Sequence, residues 1–159
     1  MNQPSSVREG PRCVSGALTA DTLYPFELVL EGTPISLQGS SASKERWKAA
    51  VRSRGQARAY ETDEIGFLYE CPAAITIYYF PTDPMVGDVD NIVKPIMDAL
   101  INVGYKDDNF VESVHVQKFE PGIEWVFEDP SEQLAQALDL DPPVVYIRVI
   151  DDMSWRKAK

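Results

Sequence analysis

The sequence predicts a small α+β domain, in which two main helices form one layer against a mixed sheet of about four strands. The 159 residues are enough for one hydrophobic core. Segments with strand and helix patterns alternate in the order strand, helix, strand, helix, strand, short helix, strand. There is no internal repeat and no second core-forming region. We therefore expect one domain over residues 23–152, after a leader at 1–22 and before a basic tail at 153–159.

The first strand, helix and strand follow from local pattern. Residues 24–31 (YPFELVLE) alternate apolar and polar side chains, which is typical of a half-buried strand. Residues 43–54 predict a helix with Ser43 as its N-cap, because apolar residues recur there at spacings of three and four. Residues 73–80 (AAITIYYF) are rich in β-branched and aromatic side chains and predict the strongest strand of the chain.

A second helix is predicted near the middle of the chain. Residues 91–103 place apolar side chains at helical spacing. Pro95 suits the first helical turn and not the interior, so we expect the helix to begin near Lys94. Gly104 is predicted to be the C′ residue that ends it.

Two further strands and a short helix complete the predicted domain. Residues 111–119 and 144–150 have the composition of strands. Between them, residues 129–132 (DPSE) have the pattern of a capping box with Pro130 at the first helical position. This pattern predicts a short helix that ends near Leu138.

Composition excludes several classes of protein. No apolar run approaches the roughly 18–20 residues that cross a membrane, so no membrane association is expected. Residues 1–22 are rich in Ser, Pro and Gly and contain no apolar block, which predicts a disordered leader rather than a secretory signal. Cys13 and Cys71 are far apart, so a structural disulfide is not expected. A reducing cytoplasm is the predicted location.

The net charge of −10 is unevenly distributed. Between residues 44 and 58 six basic residues are accompanied by one acid, whereas nine acids and one basic residue occur from 120 to 152. A basic helix in an otherwise acidic protein favours phosphate binding, although a solvated charged helix is the alternative. The acidic region 120–141 is a candidate surface for a protein partner. The predicted DNA-binding residues are Lys44, Arg46, Lys48, Arg52, Arg54 and Arg58.

Carboxylates and one lysine cluster in the centre of the sequence. Asp88 and Asp90 are two residues apart, Lys94 follows, and the pair Asp107-Asp108 comes after the predicted helix. Like charges this close repel each other unless something compensates them. A hard cation such as Mg²⁺ takes carboxylate oxygens together with water and phosphate oxygens. If the chain stays extended through Asp90, its carboxylate and that of Asp88 point the same way. The cluster therefore predicts metal-assisted phosphodiester chemistry.

Two interpretations of this cluster remain open from spacing alone. In the structural one, the aspartates form turns and caps and Lys94 is a solvated helix residue; Asp-x-Asp is also found in nucleotide-sugar transferases. In the catalytic one, Asp88, Asp90 and Asp108 hold Mg²⁺, which polarises a phosphoryl oxygen and lowers the pKa of a bound water. Lys94 then stabilises charge on the phosphate or holds the phosphate in place.

The residues around the cluster resemble a known family. The motifs that carry the resemblance are Asp88-x-Asp-Asn-x-x-Lys94, Asp98-Ala99-Leu100, Gly104-Tyr105, Asp107-Asp108 and Val114-His115-Val116-x-Lys118. Their combination is similar to the RusA family of Holliday-junction resolvases and is specific over about residues 86–118. The resemblance implies a RusA-like α+β fold, a homodimer, dependence on Mg²⁺ and paired incision of four-way DNA junctions. It implies that Asp88, Asp90 and Asp108 are the catalytic aspartates and that Lys94 is the essential lysine.

We therefore predict a Mg²⁺-dependent, structure-selective endodeoxyribonuclease that resolves branched DNA in recombination and repair, in a bacterium or encoded by a phage or prophage. A nuclease for flaps or other branched DNA is a second hypothesis. The alternative from another class is a non-catalytic RusA-like factor of phage or defence origin that binds nucleic acid or protein. His115, the only histidine, is expected to have a structural or surface role rather than a catalytic one.

Overall fold

The structure is a computed structural model that describes residues 24–36, 38–62 and 72–151. The predicted leader at 1–22, the basic tail at 153–159 and both cysteines, Cys13 and Cys71, lie outside the described residues. Within the described ranges, no helix combines the length and the apolar character needed to span a membrane.

In the part of the chain that the structure describes, seven main elements follow one another in the predicted order. They are β1 (Phe26–Glu31), α1 (Ser41–Thr62), β2 (Ala73–Phe80), α2 (Val93–Leu100), β3 (Val111–Lys118), α3 (Glu132–Asp139) and β4 (Val144–Ile150). Two short 3₁₀ helices, Val89–Ile92 and Asp108–Phe110, precede α2 and β3. The second of these places the Asp107-Asp108 pair at the start of β3.

The four strands form one mixed sheet in the order β1-β4-β2-β3. β4 pairs antiparallel with both β1 and β2, whereas β2 and β3 are parallel. Parallel neighbours need a crossover connection, and here residues 81–110, which include α2, provide it. The predicted small α+β domain with a mixed four-stranded sheet is confirmed.

The two main helices cover one face of the sheet and enclose the larger core. α1 packs against α2 and β1. Trp47 and Val51 of α1 and Ile96 and Leu100 of α2 are buried in this core. The strand residues beneath them include Phe26, Leu28, Ile75, Ile77, Ile147 and Val149. The short helix α3 packs on part of the opposite face and encloses a smaller cluster that contains Val29, Leu134, Ala137, Val144 and Tyr146.

Helix α1 is longer at both ends than the predicted segment 43–54. The predicted N-cap Ser43 is wrong, because the Ser40 hydroxyl accepts a hydrogen bond from the Ser43 N–H at 3.2 Å and the helix begins at Ser41. The helix also continues through Gly55. A Cβ at Gly55 would lie 2.6 Å from Val103 Cγ1, so the missing side chain lets α1 approach the end of α2.

The predicted end of α2 at Gly104 is also wrong. The helix ends at Leu100, and the residue with a left-handed conformation is Asn102, with φ of 59°. Gly104 donates its N–H to the Leu100 carbonyl at 2.9 Å. A Cβ on Gly104 would lie 3.3 Å from the Phe26 ring, so this glycine serves close packing rather than helix termination.

The start of α3 differs from the predicted capping box by two residues. Ser131 is the N-cap, and its hydroxyl accepts a hydrogen bond from the Leu134 N–H at 3.2 Å. Pro130 therefore precedes the cap instead of occupying the first helical position. Asp129 has φ of 51°, whereas an N-cap residue normally has an extended backbone.

Candidate active site

The segment after β2 runs beside β3 on its way to α2. The Met85 N–H donates to Glu120 Oε2 at 3.1 Å, which ties the segment to the residues that follow β3. The 3₁₀ helix Val89–Ile92 then contacts β3, and Ile92 is buried in the main core. Asp88 and Asp90 are both exposed on this anchored segment.

The two exposed aspartates, Asp88 and Asp90, have different backbone conformations. Asp88 is extended, with φ of −89° and ψ of 143°, and its carboxylate makes no capping hydrogen bond. Asp90 lies inside the 3₁₀ helix. The chain is therefore not extended through Asp90, and alternation along a strand does not set the direction of its side chain. Whether the carboxylates of Asp88 and Asp90 can bind one ligand therefore depends on the geometry of the 3₁₀ helix and not on that of a strand.

Lys94 joins two carboxylates that are distant in sequence from each other. Its ammonium lies 2.8 Å from Asp98 Oδ1 and 3.0 Å from Asp108 Oδ2. Asp98 is one helical turn further along α2, so that contact follows from i,i+4 spacing. Asp108 comes from the crossover, at the start of β3. The structure thus brings together two of the predicted catalytic residues, Lys94 and Asp108.

The charges at this ion pair reinforce one another. The hydrogen bond to Asp98, followed by that to Asp108, raises the pKa of Lys94 above its ordinary value. The hydrogen bond from Lys94 is the main reason why the pKa of Asp108 is lowered. Both groups are therefore ionised at neutral pH. The Lys94 side chain is 51 % exposed, so its ammonium remains accessible to an incoming phosphate.

The two adjacent aspartates at the start of β3 have different roles. Asp107 accepts a hydrogen bond from the Asn109 N–H at 2.9 Å and caps the 3₁₀ helix Asp108–Phe110. Asp108 instead contacts Lys94. This division supports Asp108 as the member of the pair that belongs to the site.

Two neighbouring residues that we did not predict as site residues help to build this arrangement. Asp98 could have been identified from its position four residues after Lys94 on a predicted helix. Tyr105 is completely buried and donates its hydroxyl to the Met97 carbonyl at 2.6 Å. Burial, together with the negative charges of Asp108 and Asp98, raises the pKa of Tyr105, so its hydroxyl stays protonated.

The donor chemistry of the exposed aspartates fits a hard cation. Mg²⁺ is commonly bound through one or two carboxylates, with waters and substrate phosphates as the other ligands. Asp88 and Asp90 offer such oxygen donors on an anchored segment. Within the described ranges, no three acidic, histidine or cysteine side chains are already grouped as metal ligands. Asp88 and Asp90 therefore have the donor chemistry that suits Mg²⁺, and each offers its oxygens individually.

Two of the six predicted DNA-binding residues bind backbone carbonyls of the edge strand β1. Arg54 Nε donates to the Val29 carbonyl and Arg58 Nε to the Glu27 carbonyl, each at 3.0 Å. Arg54 and Arg58 are four residues apart on the helix, a rise of about 6 Å, and the carbonyls they bind are two residues apart on the strand, about 6.6 Å. The spacing of the two arginines therefore matches the spacing of the two carbonyls. Because β1 is an edge strand, these carbonyls have no neighbouring strand to bond with on that side, and the two arginines donate hydrogen bonds to them instead. Both also pair with Glu61, at 3.2 and 3.1 Å.

The other basic residues of α1 lie nearer the start of the helix or beside α2. Arg52 is exposed and donates to the Asp98 carbonyl at 3.3 Å, which places it next to the residue that holds Lys94. Lys48 pairs with Glu45 at 2.8 Å, and Arg46 donates to the Ser43 hydroxyl at 3.3 Å. The sixth predicted residue, Lys44, is partly exposed in the first turn.

Comparison with known sequences bears on what this site does. No curated protein sequence matches the chain. The family model described as Endodeoxyribonuclease RusA matches residues 40–124. This range contains α1, the segment with Asp88 and Asp90, all of α2 and all of β3. Because the match covers more than half of the chain and includes every candidate site residue, the protein belongs to the RusA family of endodeoxyribonucleases, which are Holliday-junction resolving nucleases.

Proposed function

We propose that the protein is a Mg²⁺-dependent endonuclease that resolves four-way DNA junctions by paired phosphodiester hydrolysis, in recombination and repair. The observation that supports this most directly is the ammonium of Lys94, held between Asp98 and Asp108 just after the exposed Asp88 and Asp90. A positioned cation that can stabilise the charge developing on a phosphate is one of the groups on which phosphoryl transfer depends.

Lys94 stabilises the negative charge that develops on the scissile phosphate. Its two carboxylate partners restrict the ammonium and keep it protonated, so little reorganisation is needed when a phosphate arrives. Asp108 places one carboxylate oxygen against that ammonium. Asp88, Asp90 and Asp108 would supply the oxygen donors for Mg²⁺. When bound there, the ion would supply Lewis acidity for hydrolysis of a phosphodiester.

The DNA would approach along α1 and reach the site next to Arg52. Arg52 contacts the Asp98 carbonyl, so a backbone phosphate bound by Arg52 would lie close to Lys94. Lys44 and Lys48 extend the same helix surface toward its N-terminus. Arg54 and Arg58 would contribute less, because they already bind the β1 carbonyls. A homodimer would present two such sites, which paired incision of a symmetric junction requires.

Cleavage of a labelled, mobile four-way junction tests this function. We expect the wild-type protein to nick opposite strands only when Mg²⁺ is present, and Asp90→Asn to lose at least about 100-fold in rate, as removal of a main electrostatic group does. Asp83→Asn is the matched control, because Asp83 is an exposed aspartate in the same connection. Absence of cleavage by a folded, dimeric wild-type protein across Mg²⁺ concentrations would contradict the proposal.

A non-catalytic relative that binds nucleic acid or protein is the second candidate. The observation in its favour is that Lys94 already engages Asp108, while no set of three metal ligands is grouped among the described residues. Titration with Mn²⁺, followed by electron paramagnetic resonance, separates the two functions. Binding that is lost in Asp88→Asn and in Asp90→Asn supports the nuclease, whereas no binding supports the second candidate. Side-by-side assays on flaps and junctions then define the substrate.

A further inference from the structure

An aromatic pocket lies at the ends of β2 and β3, on the face of the sheet that carries α3. Its volume is about 450 Å³. The Phe80 and Phe119 rings stack with centroids 4.8 Å apart, and Trp125 meets Phe119 edge-on at 4.9 Å. Phe119 is buried, whereas Ile123 and Trp125 at the mouth are 58 % and 46 % exposed. The pocket can therefore accept a large apolar side chain from solvent.

The surroundings of the aromatic pocket are acidic. Glu120 and Asp141 line it directly, and Glu120 is paired with Lys118 at 2.6 Å. Residues 119–147 contain seven acids and no lysine or arginine. The acids are Glu120, Glu124, Glu128, Asp129, Glu132, Asp139 and Asp141. Such a surface repels a DNA backbone, so the occupant that fits is a cationic protein segment with an apolar anchor.

One segment of this chain has that chemistry. Residues 152–159 (DMSWRKAK) combine a single aromatic residue, Trp155, with three basic residues and one acid. They lie outside the described residues and follow β4 in the sequence. An indole ring suits a pocket made of aromatic rings, and the adjacent cationic side chains suit its acidic rim.

Chain length indicates which copy of the chain supplies this segment. β4 runs away from the pocket, because Val144 pairs with Phe80 at the pocket end and Ile150 pairs with Ala74 at the other. Returning from residue 151 to Val144 requires about 23 Å at 3.3 Å per strand residue. Four extended residues take Trp155 back by at most about 14 Å, even before a turn is made. The tail of the same chain therefore falls short of the pocket.

We propose that the aromatic pocket binds residues 152–159 of a second copy of this chain, with the Trp155 indole packed against the exposed Ile123 and Trp125 at the mouth and the basic residues against the acidic rim. This contact would make the tail part of a homodimer interface. It depends on the pocket and on charge complementarity, and it holds whether or not the protein cleaves DNA.

Peptide binding tests the chemistry of this contact. A fluorescein-labelled 152–159 peptide is titrated with the full chain that carries Trp155→Ala, and its anisotropy is measured. We expect saturable binding that weakens at high salt and falls at least tenfold when the peptide itself carries Trp155→Ala. Ile123→Lys in the receptor should weaken binding at least tenfold. Val126→Lys is the matched control, because Val126 is 90 % exposed and does not line the pocket, and it should change binding less than twofold.

Disulfide trapping tests which copy supplies the tail. Both native cysteines are replaced by serine, and a chain with Ser154→Cys is mixed with a differently tagged chain that carries Ile123→Cys. Under mild oxidation we expect a disulfide-linked dimer that contains both tagged chains. Much less of this dimer should form when Val126→Cys replaces Ile123→Cys. Three results would each overturn the proposal. Two concern the peptide: equal binding of the Trp155→Ala peptide, or an equal loss of peptide binding in the Ile123→Lys and Val126→Lys receptors. The third is a disulfide that forms only within a single chain, when that chain carries both Ser154→Cys and Ile123→Cys.

Discussion

Replacing Arg58 with alanine separates the arginines that hold the fold from the basic residues that are proposed to bind DNA. Arg58 Nε donates to the Glu27 carbonyl at 3.0 Å, and its guanidinium also pairs with Glu61 at 3.1 Å. The Arg58 side chain is only 22 % exposed, although Glu61 is 49 % exposed. Both contacts join α1 to itself or to the edge strand β1, and neither of them faces the site around Lys94.

The expected loss of stability follows from these two contacts. A hydrogen bond that involves a charged group contributes about 1.5–3 kcal/mol when it is removed from a folded protein. The ion pair with Glu61 adds about 0–1 kcal/mol, because one partner is half exposed and solvent screens the pair. We therefore expect Arg58→Ala to reduce the free energy of unfolding by about 2 kcal/mol, with a fall in Tm of several degrees.

Urea unfolding monitored by circular dichroism measures this change. Lys48→Ala is the control on the same helix, because its partner among the described residues is Glu45, which is 71 % exposed. This variant should change the free energy of unfolding by less than about 0.5 kcal/mol. The reasoning is refuted if Arg58→Ala is as stable as wild type but binds junction DNA with a smaller salt dependence. In that case Arg58 would be a phosphate contact and the carbonyl bond would contribute nothing.

Four further predictions concern the site and its supports. Asp98→Asn should lower the pKa of Lys94 toward its ordinary value in a ¹³C NMR titration and slow junction cleavage roughly tenfold, because the ammonium is less restricted. The stability difference between wild type and Lys94→Gln should be constant between about pH 5 and 9.5 in urea unfolding. Lys48→Gln with Arg52→Gln should reduce the slope of log K against log salt by up to about 1.8. Gly55→Ala should destabilise the protein in thermal unfolding by about 1–2 kcal/mol, because overpacking against Val103 outweighs the gain in helix propensity.

The pH range for Lys94 follows from the direction of each pKa shift. The raised pKa of Lys94 means that its contribution is complete below the ordinary lysine pKa of about 10.4 and is lost as pH rises through the higher value. The lowered pKa of Asp108 means that the pair also weakens as pH falls below about 3.9. A change in the stability difference between wild type and Lys94→Gln from pH 6 to pH 8 would indicate that another group titrates in that range.

The predictions for the salt slope and for Gly55→Ala have matched control variants. For the salt slope, Arg148→Gln removes a charge from β4, away from α1, and should leave the slope unchanged; an unchanged slope in the α1 variant would exclude that helix as the phosphate contact. For Gly55→Ala, the exposed neighbour Gln56→Ala should be neutral or slightly stabilising. A more stable Gly55→Ala would show that Val103 can move. If the pKa of Lys94 is the same in Asp98→Asn as in the wild type, Asp98 does not position Lys94.

The strands, and the order of the elements along the chain, were predictable because the pattern that specifies a strand lies within it. Segments 73–80 and 144–150 coincide with β2 and β4, since alternation and β-branched side chains act over a few residues. The ends of helices were harder to predict. Gly55 and Gly104 have the local appearance of helix stops, yet each is a glycine because Val103 or Phe26 approaches it from elsewhere in the chain. Local pattern contains no information about such contacts.

The sequence by itself determined the α+β fold, the family resemblance and the identity of Lys94, Asp88, Asp90 and Asp108 as candidates, because these depend on residue types and on spacing along the chain. Only the tertiary structure showed that Lys94 meets Asp108, since that contact requires the crossover to return the chain to the start of β3. It also separated Asp107, which caps its own turn, from Asp108. Charge composition cannot say which basic side chains of α1 meet backbone carbonyls and which remain in solvent, because that depends on where α1 lies against the edge of the sheet.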